Sequence, residues 1–137
     1  IITDITEEKL LELKGLFEGD KFVGLAGKEI PEVTDDTPTV TADIGPEHLN
    51  AAGAVQGGML YTLSDFAFAV LSNSLHPVTV TQSATITYIR AARTEKVCAT
   101  AREIVRSGHK CVVVVVVRAA EGTIVCTGSF NGFISSK

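Results

Sequence analysis

The sequence predicts an α+β fold in which one long central helix is wrapped by a curved antiparallel sheet of about six strands, with a short helix in front. Three observations lead there. From Met59 to Leu71 nearly every position is apolar or small, which marks a helix buried on all sides. Four strand-like runs follow, joined by turns short enough for antiparallel hairpins. The chain has 137 residues, 45% hydrophobic and 20% charged, as expected for one globular domain over residues 1–137.

In chain order, residues 6–18 (TEEKLLELKGLFE) put Leu10, Leu11, Leu13, Leu16 and Phe17 largely on one helical face. Thr6 is a suitable N-cap and Glu7 and Glu8 stand in the first turn, so residues 1–20 are expected to form a short amphipathic helix. The core is expected over about 21–134. Residues 21–29 and 38–44 read as strands, separated by a turn-rich stretch from Pro31 to Asp36. The loop GPEHLNAAGAVQGG leads into the central helix, which His76-Pro77 stops. Strands are then expected at 78–90, 96–105, 110–119 and 123–134. The first alternates strictly, with Val78, Val80, Gln82, Ala84, Ile86 and Tyr88 on one face and Thr79, Thr81, Ser83, Thr85 and Thr87 on the other. The unbroken valine run from Val112 to Val117 predicts a central strand covered on both faces.

Composition narrows the function. The net charge is -4, divided unevenly. Residues 1–65 carry four lysines against thirteen carboxylates, a net of -9, and residues 66–137 carry eight Lys or Arg against three Glu, a net of +5. The basic residues are interleaved with Val and Thr and form no nucleic-acid motif, so a small phosphate-bearing ligand is the better match. No apolar run reaches the roughly 18 residues of a membrane span, and the first residues are not a signal sequence. A soluble cytoplasmic protein with no membrane or nucleic-acid partner is expected. Cys98, Cys111 and Cys126 are odd in number and widely spaced, which favours neither a disulfide framework nor a metal site.

Asp65 is the first candidate for chemistry. It lies in the middle of the apolar helix, where a carboxylate must be partnered, solvated by a cleft, or used. It is either a surface or capping residue or a general base or nucleophile. Gly57 and Gly58 open the helix; free N–H groups there suit an oxyanion, although paired glycines also serve purely steric ends. Gly57 and Asp65 are two turns apart, about 12 Å along the axis, so they can flank one extended substrate. In the preceding loop, His48, Asn50 and Gln56 are either turn and surface residues or substrate hydrogen-bond donors. Thr81 and Ser83 belong to a solvated hydroxyl face, or one of them holds a catalytic water. Arg90, Arg93, Arg106, His109 and Lys110 lie at strand ends and hairpin tips, as solubilising charge or as phosphate ligands.

The stretch from His48 to Gly58 (HLNAAGAVQGG), followed by Leu63-Ser64-Asp65, resembles the signature of hotdog-fold acyl-CoA thioesterases of the phenylacetic acid degradation type. In that pattern N-x-x-G-x-x-H-G-G opens the central helix and an acidic residue follows the first of the paired glycines by eight positions. ITYIRAAR (86–93) and the closing GTIV and TGSF segments are similar to the family's later strands, so the resemblance covers roughly 38–134. It implies Asp65 as general base or nucleophile on a thioester, Gly57 N–H polarising the carbonyl, Asn50 positioning substrate or water, and Thr81 orienting the water. It also implies a homodimer or a homotetramer, with sites assembled from two chains. Coenzyme A would enter as part of the substrate, with no separate cofactor and no metal. The family's His before Gly-Gly is Gln56 here, which can donate a hydrogen bond but cannot exchange a proton near neutrality. Ala91 replaces the usual Pro after Arg90. The alternatives are a non-catalytic acyl-CoA binder and, with its His-rich signature absent, an enoyl-CoA hydratase.

Overall fold

The computed structural model describes residues 19, 21–22, 28–29 and 39–135. The expected N-terminal helix and the Pro31–Asp36 turn lie outside the described residues. Within them a six-member antiparallel sheet has the order β1-β2-β4-β5-β6-β3, built from β1 (Lys28–Glu29), β2 (Thr39–Asp43), β3 (Thr79–Tyr88), β4 (Lys96–Ser107), β5 (Lys110–Ala119) and β6 (Ile124–Ile134). Five of these are substantial; β1 is a two-residue edge piece. Lys21 and Phe22 are helical and Lys28–Glu29 are strand, so the expected strand over 21–29 does not include its first two positions; neither of them is β-branched, and Phe22 is exposed.

The helix α1 (Gly57–Leu75) lies across the inner face of the sheet. Small side chains make that approach possible: β4 offers Ala99 and Ala101, and β6 offers Gly128 and Gly132. A Cβ at Gly132 would stand 2.7 Å from Phe68 Cζ and 2.8 Å from Cys111 Sγ, so the position has room only for hydrogen. Phe68 stacks on Phe130 at 5.6 Å between ring centroids, and Val113, Val115 and Val117 complete the core beneath them. The polar residues of α1 are satisfied largely by its own backbone: Thr62 donates to the Gly58 carbonyl, Ser64 to that of Leu60 and Ser74 to that of Leu71. Asn73 ties the last turn to β3, accepting from Thr79 N–H and donating to the Ala69 carbonyl.

Two expectations change. β5 is central, but only its inner valines are fully buried; Val112, Val114 and Val116 on the outer face are half-buried. Their neighbours there, such as Thr127 and Ser129, are short and polar and leave that face partly open. The alternation of β3 is broken by a bulge at Gln82, where the pairing steps from Thr81↔Gly132 to Ser83↔Asn131. An extra residue reverses the phase of a strand. Thr79 and Thr81 therefore face inward before the bulge and Ala84 and Ile86 after it, while Val78 and Val80 point out at 62% and 55% exposure.

Candidate active site

The loop before α1 is a small hydrogen-bonded scaffold. A 3-10 turn at Pro46–His48 places the His48 ring so that Nδ1 accepts from Gly45 N–H at 2.9 Å, which makes Nδ1 the unprotonated nitrogen. His48 is buried, not the surface residue that its neighbourhood suggested. Asn50 Oδ1 accepts from Ala52 and Ala54 N–H at 2.9 and 3.0 Å, so its carbonyl holds the turn while its amide NH2 is not part of that turn. Gln56 is the N-cap of α1: its Oε1 accepts from Gly58 N–H at 2.8 Å. A glutamine at this position thus satisfies one of the orphan donors of the helix start. The neighbouring Gly57 N–H has no hydrogen-bond acceptor among the described residues and stands at the positive end of the helix dipole.

Two of the candidate residues lie together. Thr81 Oγ1 donates to Asp65 Oδ1 at 2.7 Å, between the edge strand and the third turn of the helix. Both residues are half-buried, and the inward phase that Thr81 has before the bulge is what makes the bond. Ser83, beyond the bulge, is on the opposite face and accepts from Asn131 Nδ2 at 3.0 Å, away from Asp65. Gly57, Tyr61 and Asp65 are four residues apart in succession and form one stripe of the helix alongside β3. Tyr61 is part-exposed and packs edgewise towards Phe130. Phe66 and Phe68 are core residues rather than walls of an opening.

Tyr88 was not foreseen as part of the site. Its hydroxyl donates to the Gly57 carbonyl at 3.1 Å, and its ring lies 3.3 Å from where a Cβ on Gly57 would be. A side chain there would push the ring back by a few tenths of an ångström. Burial, reinforced by Cys126 and Tyr61, pushes the Tyr88 phenol above its ordinary value, so it remains a donor at neutral pH. The signal in the sequence was a tyrosine closing a strand opposite a Gly-Gly pair.

Two open clefts flank the helix start. One, of about 300 Å³, is lined by Asn50, Gly57, Leu60, Tyr88 and Arg90. The other, of about 280 Å³, is lined by His48, Gln56, Gly58, Met59 and Thr62 together with Phe22. The basic residues divide between the two ends of the sheet. Arg90 and Arg93 are near the Gly57 end, Arg93 reaching the Ala52 carbonyl. Arg106, His109 and Lys110 belong to the β4–β5 hairpin at the other end, where Arg106 donates to Gly108, His109 bonds the Ile134 carbonyl and Lys110 bonds Gln82. A single chain therefore does not gather all five around one ligand.

A helix start with paired glycines, a helix carboxylate held by a strand hydroxyl, and a sheet curled around that helix define a thioesterase-type hotdog domain. The chain belongs to the thioesterase superfamily, whose family model matches residues 52–126. A curated protein of Archaeoglobus fulgidus named "Putative esterase" is 36% identical over 90 residues, and those cover 65% of this chain and 58% of that protein. The chain thus spans less than two thirds of the length of that relative. Among solved structures, PaaI of Escherichia coli, from the phenylacetic acid degradation operon, has a TM-score of 0.83 at 22% identity, covering 90% of this chain and 91% of that one. The "Hypothetical Thioesterase Protein" of Streptococcus pneumoniae, solved with coenzyme A, has a TM-score of 0.77 at 25% identity, with 87% and 96% covered. Two further structures of that protein carry an Asp-to-Ala and a Thr-to-Ala substitution sixteen positions apart. PaaI of Thermus thermophilus, solved as an Asn-to-Asp variant, has a TM-score of 0.77 at 29% identity, with 85% and 100% covered.

Proposed function

We propose that this protein hydrolyses an acyl-CoA thioester to the free acid and coenzyme A. The observation that carries the reading is the 2.7 Å bond from Thr81 to Asp65, two helical turns from the unclaimed N–H of Gly57. The sixteen-residue separation of Asp65 and Thr81 equals that of the two substituted positions in the Streptococcus pneumoniae protein. That protein also binds coenzyme A, which supports the ligand class.

In this mechanism the thioester lies between the α1 helices of two chains, because the roughly 12 Å between Gly57 and Asp65 along one helix is too far for both to reach one carbonyl. Gly57 N–H hydrogen-bonds the carbonyl oxygen and stabilises the negative charge that develops there. Asp65 of the partner subunit takes a proton from a water whose oxygen attacks the carbonyl carbon, and collapse of the intermediate breaks the C–S bond to give the free acid and coenzyme A. Alternatively that carboxylate attacks the carbon itself, the thiolate leaves, and water then hydrolyses the mixed anhydride. Thr81 fixes the orientation of the Asp65 carboxylate through one of its oxygens. Tyr88 holds the first helical residue in place, and Asn50 and Gln56 direct their amide NH2 groups at substrate or water. Gln56 transfers no proton, so Asp65 carries the proton chemistry alone.

The phosphates of coenzyme A would meet Arg90 and Arg93 of one chain and the Arg106, His109 and Lys110 hairpin of another. The free edge of the sheet at β3 supports such pairing: Val80, and Val78 and Ile89 just beyond its two ends, are exposed, and β3 is the last strand of the sheet among the described residues. A homodimer built on that edge, which can double to a homotetramer, would complete each site. A soluble cytoplasmic enzyme fits this reading; among the described residues no helix is long and apolar enough to cross a membrane.

The test is release of free thiol from short-chain, long-chain and aromatic acyl-CoAs. Wild-type protein is expected to turn over at least one of them, and Asp65→Asn to lower kcat by about a hundredfold or more with circular dichroism and hydrodynamic size unchanged. Turnover that survives the substitution overturns the catalytic assignment. Acyl-CoA binding without thiol release by the wild type would make this a carrier or sensor instead, a reading favoured by the capping role of Gln56.

A further inference from the structure

At the other end of α1 from Gly57 lies a second group of reactive side chains. Ser72 and His76 are one turn apart on the helix, and Glu103 and Cys111 come from the inner face of β4 and β5. His76 Nε2 is 2.6 Å from Glu103 Oε2, and those atoms and Cys111 Sγ all lie within 4.8 Å of one another. The side chains of His76 and Glu103 are only 7% and 14% exposed. A bulge at Ile104 shifts the β4–β5 register just after Glu103, and the pairing resumes at Val105↔Val112 and Arg106↔Cys111, which brings the Arg106 charge towards the same sulfur.

Two features are left unexplained by a simple His–Glu pair. The hydroxyl of Ser72 is fully buried and makes no hydrogen bond. It stands beside the Cys111 sulfur, where it would favour a thiolate. Gly132 is also bare of a side chain where a Cβ would fall 2.8 Å from Cys111 Sγ, so the sulfur occupies a space kept open for it. A thiol, an imidazole and a carboxylate thus converge with an unsatisfied hydroxyl next to them.

We propose that His76, Glu103 and Cys111 form a binding site for a divalent, borderline-soft metal ion, zinc being the best match. One thiolate and one carboxylate balance the two positive charges, so a buried site becomes neutral. A nitrogen–oxygen–sulfur set suits zinc, whereas magnesium and calcium prefer oxygen alone. Tetrahedral zinc needs ligand atoms about 3.2 to 3.7 Å apart. The His76–Glu103 contact has to open and Cys111 has to draw in, each by about an ångström, within reach of side-chain rotation. On binding, the Cys111 thiol proton leaves to solvent and the His76 ring carries its proton on Nδ1, freeing Nε2 as ligand. Water or the Ser72 hydroxyl takes the fourth position. The site is separate from the thioesterase reading and does not depend on it.

The experiment is a titration of the whole, chelator-treated protein with cobalt(II) and with zinc in the presence of a non-thiol reductant. One equivalent of cobalt is expected to give a near-ultraviolet thiolate-to-cobalt charge-transfer band, which zinc displaces. Cys111→Ser should abolish the band, Cys98→Ser should keep it, and His76→Gln or Glu103→Gln should weaken affinity at least tenfold. Zinc should also raise the thermal midpoint of the wild type and not that of Cys111→Ser, which tests the site without relying on one variant's yield. Absence of both the band and the midpoint shift in the wild type, or a band that persists in Cys111→Ser, overturns the site.

Discussion

The chemistry of Asp65 depends on a neighbour that belongs to another element. Thr81 is the donor that fixes one carboxylate oxygen, so its hydroxyl is expected to matter for rate more than for folding. Thr81→Val should lower kcat at least tenfold while shifting stability by no more than about 1 kcal/mol, and Thr81→Ser should restore most of the rate. Steady-state thiol release beside urea unfolding checks both. The residues of the loop were partly legible in the sequence. Asn50 and Gln56 stood out by their place in the loop that opens the helix, with a turn role and a substrate role both open, and the structure engages the carbonyl oxygen of each in local backbone bonds. Tyr88 escaped attention because its partner is a backbone carbonyl thirty-one residues away, which no local pattern encodes.

The elements were the most readable level. The central helix announces itself by lacking a polar face, and β4, β5 and β6 fall within two residues of where hairpin turns place them. Phe130, wholly buried between Phe68 and Tyr61, joins that helix to the sheet. Phe130→Ala should destabilise the fold by about 3–5 kcal/mol in denaturant unfolding, since little around it can collapse into the space. The bulge in β3 was not readable. Alternation looks perfect across Thr79–Tyr88, and a bulge at Gln82 is set by pairing with β6 rather than by any preference of glutamine. Its effect is large: it separates Thr81 from Ser83, which a regular strand would have placed side by side on one face. The site cluster of His76, Glu103 and Cys111 was likewise hidden, because its members are far apart in sequence and only the sheet register unites them.

For the whole molecule, the buried thiols set a limit at alkaline pH. Burial pushes both Cys111 and Cys126 above the ordinary thiol range, so folded chains keep those protons longer than unfolded ones. Stability should be level below about pH 8.5, then fall as the unfolded thiols ionise first, and continue falling until the folded thiols ionise too. Urea unfolding of metal-free, reduced protein from pH 7 to 10 measures this, and a Cys111→Ala, Cys126→Ala variant should show a shallower decline. The uneven charge seen in the sequence also acquires a place: the basic half supplies the strand ends at both poles of the sheet, not one patch.

The self-contained helix has a further consequence for how the protein is made. Thr62, Ser64 and Ser74 bond its own backbone, and its apolar surface is covered by β2, made before it, and for the larger part by strands that are synthesised after it. Some sixty residues separate the end of α1 at Leu75 from the end of β6 at Ile134, which at ~5–20 residues per second leaves much of its surface uncovered for ~3–12 s. Nascent chains should therefore engage ribosome-associated chaperones at this segment, and production of the protein should depend more on protection during translation than on the stability of the finished fold.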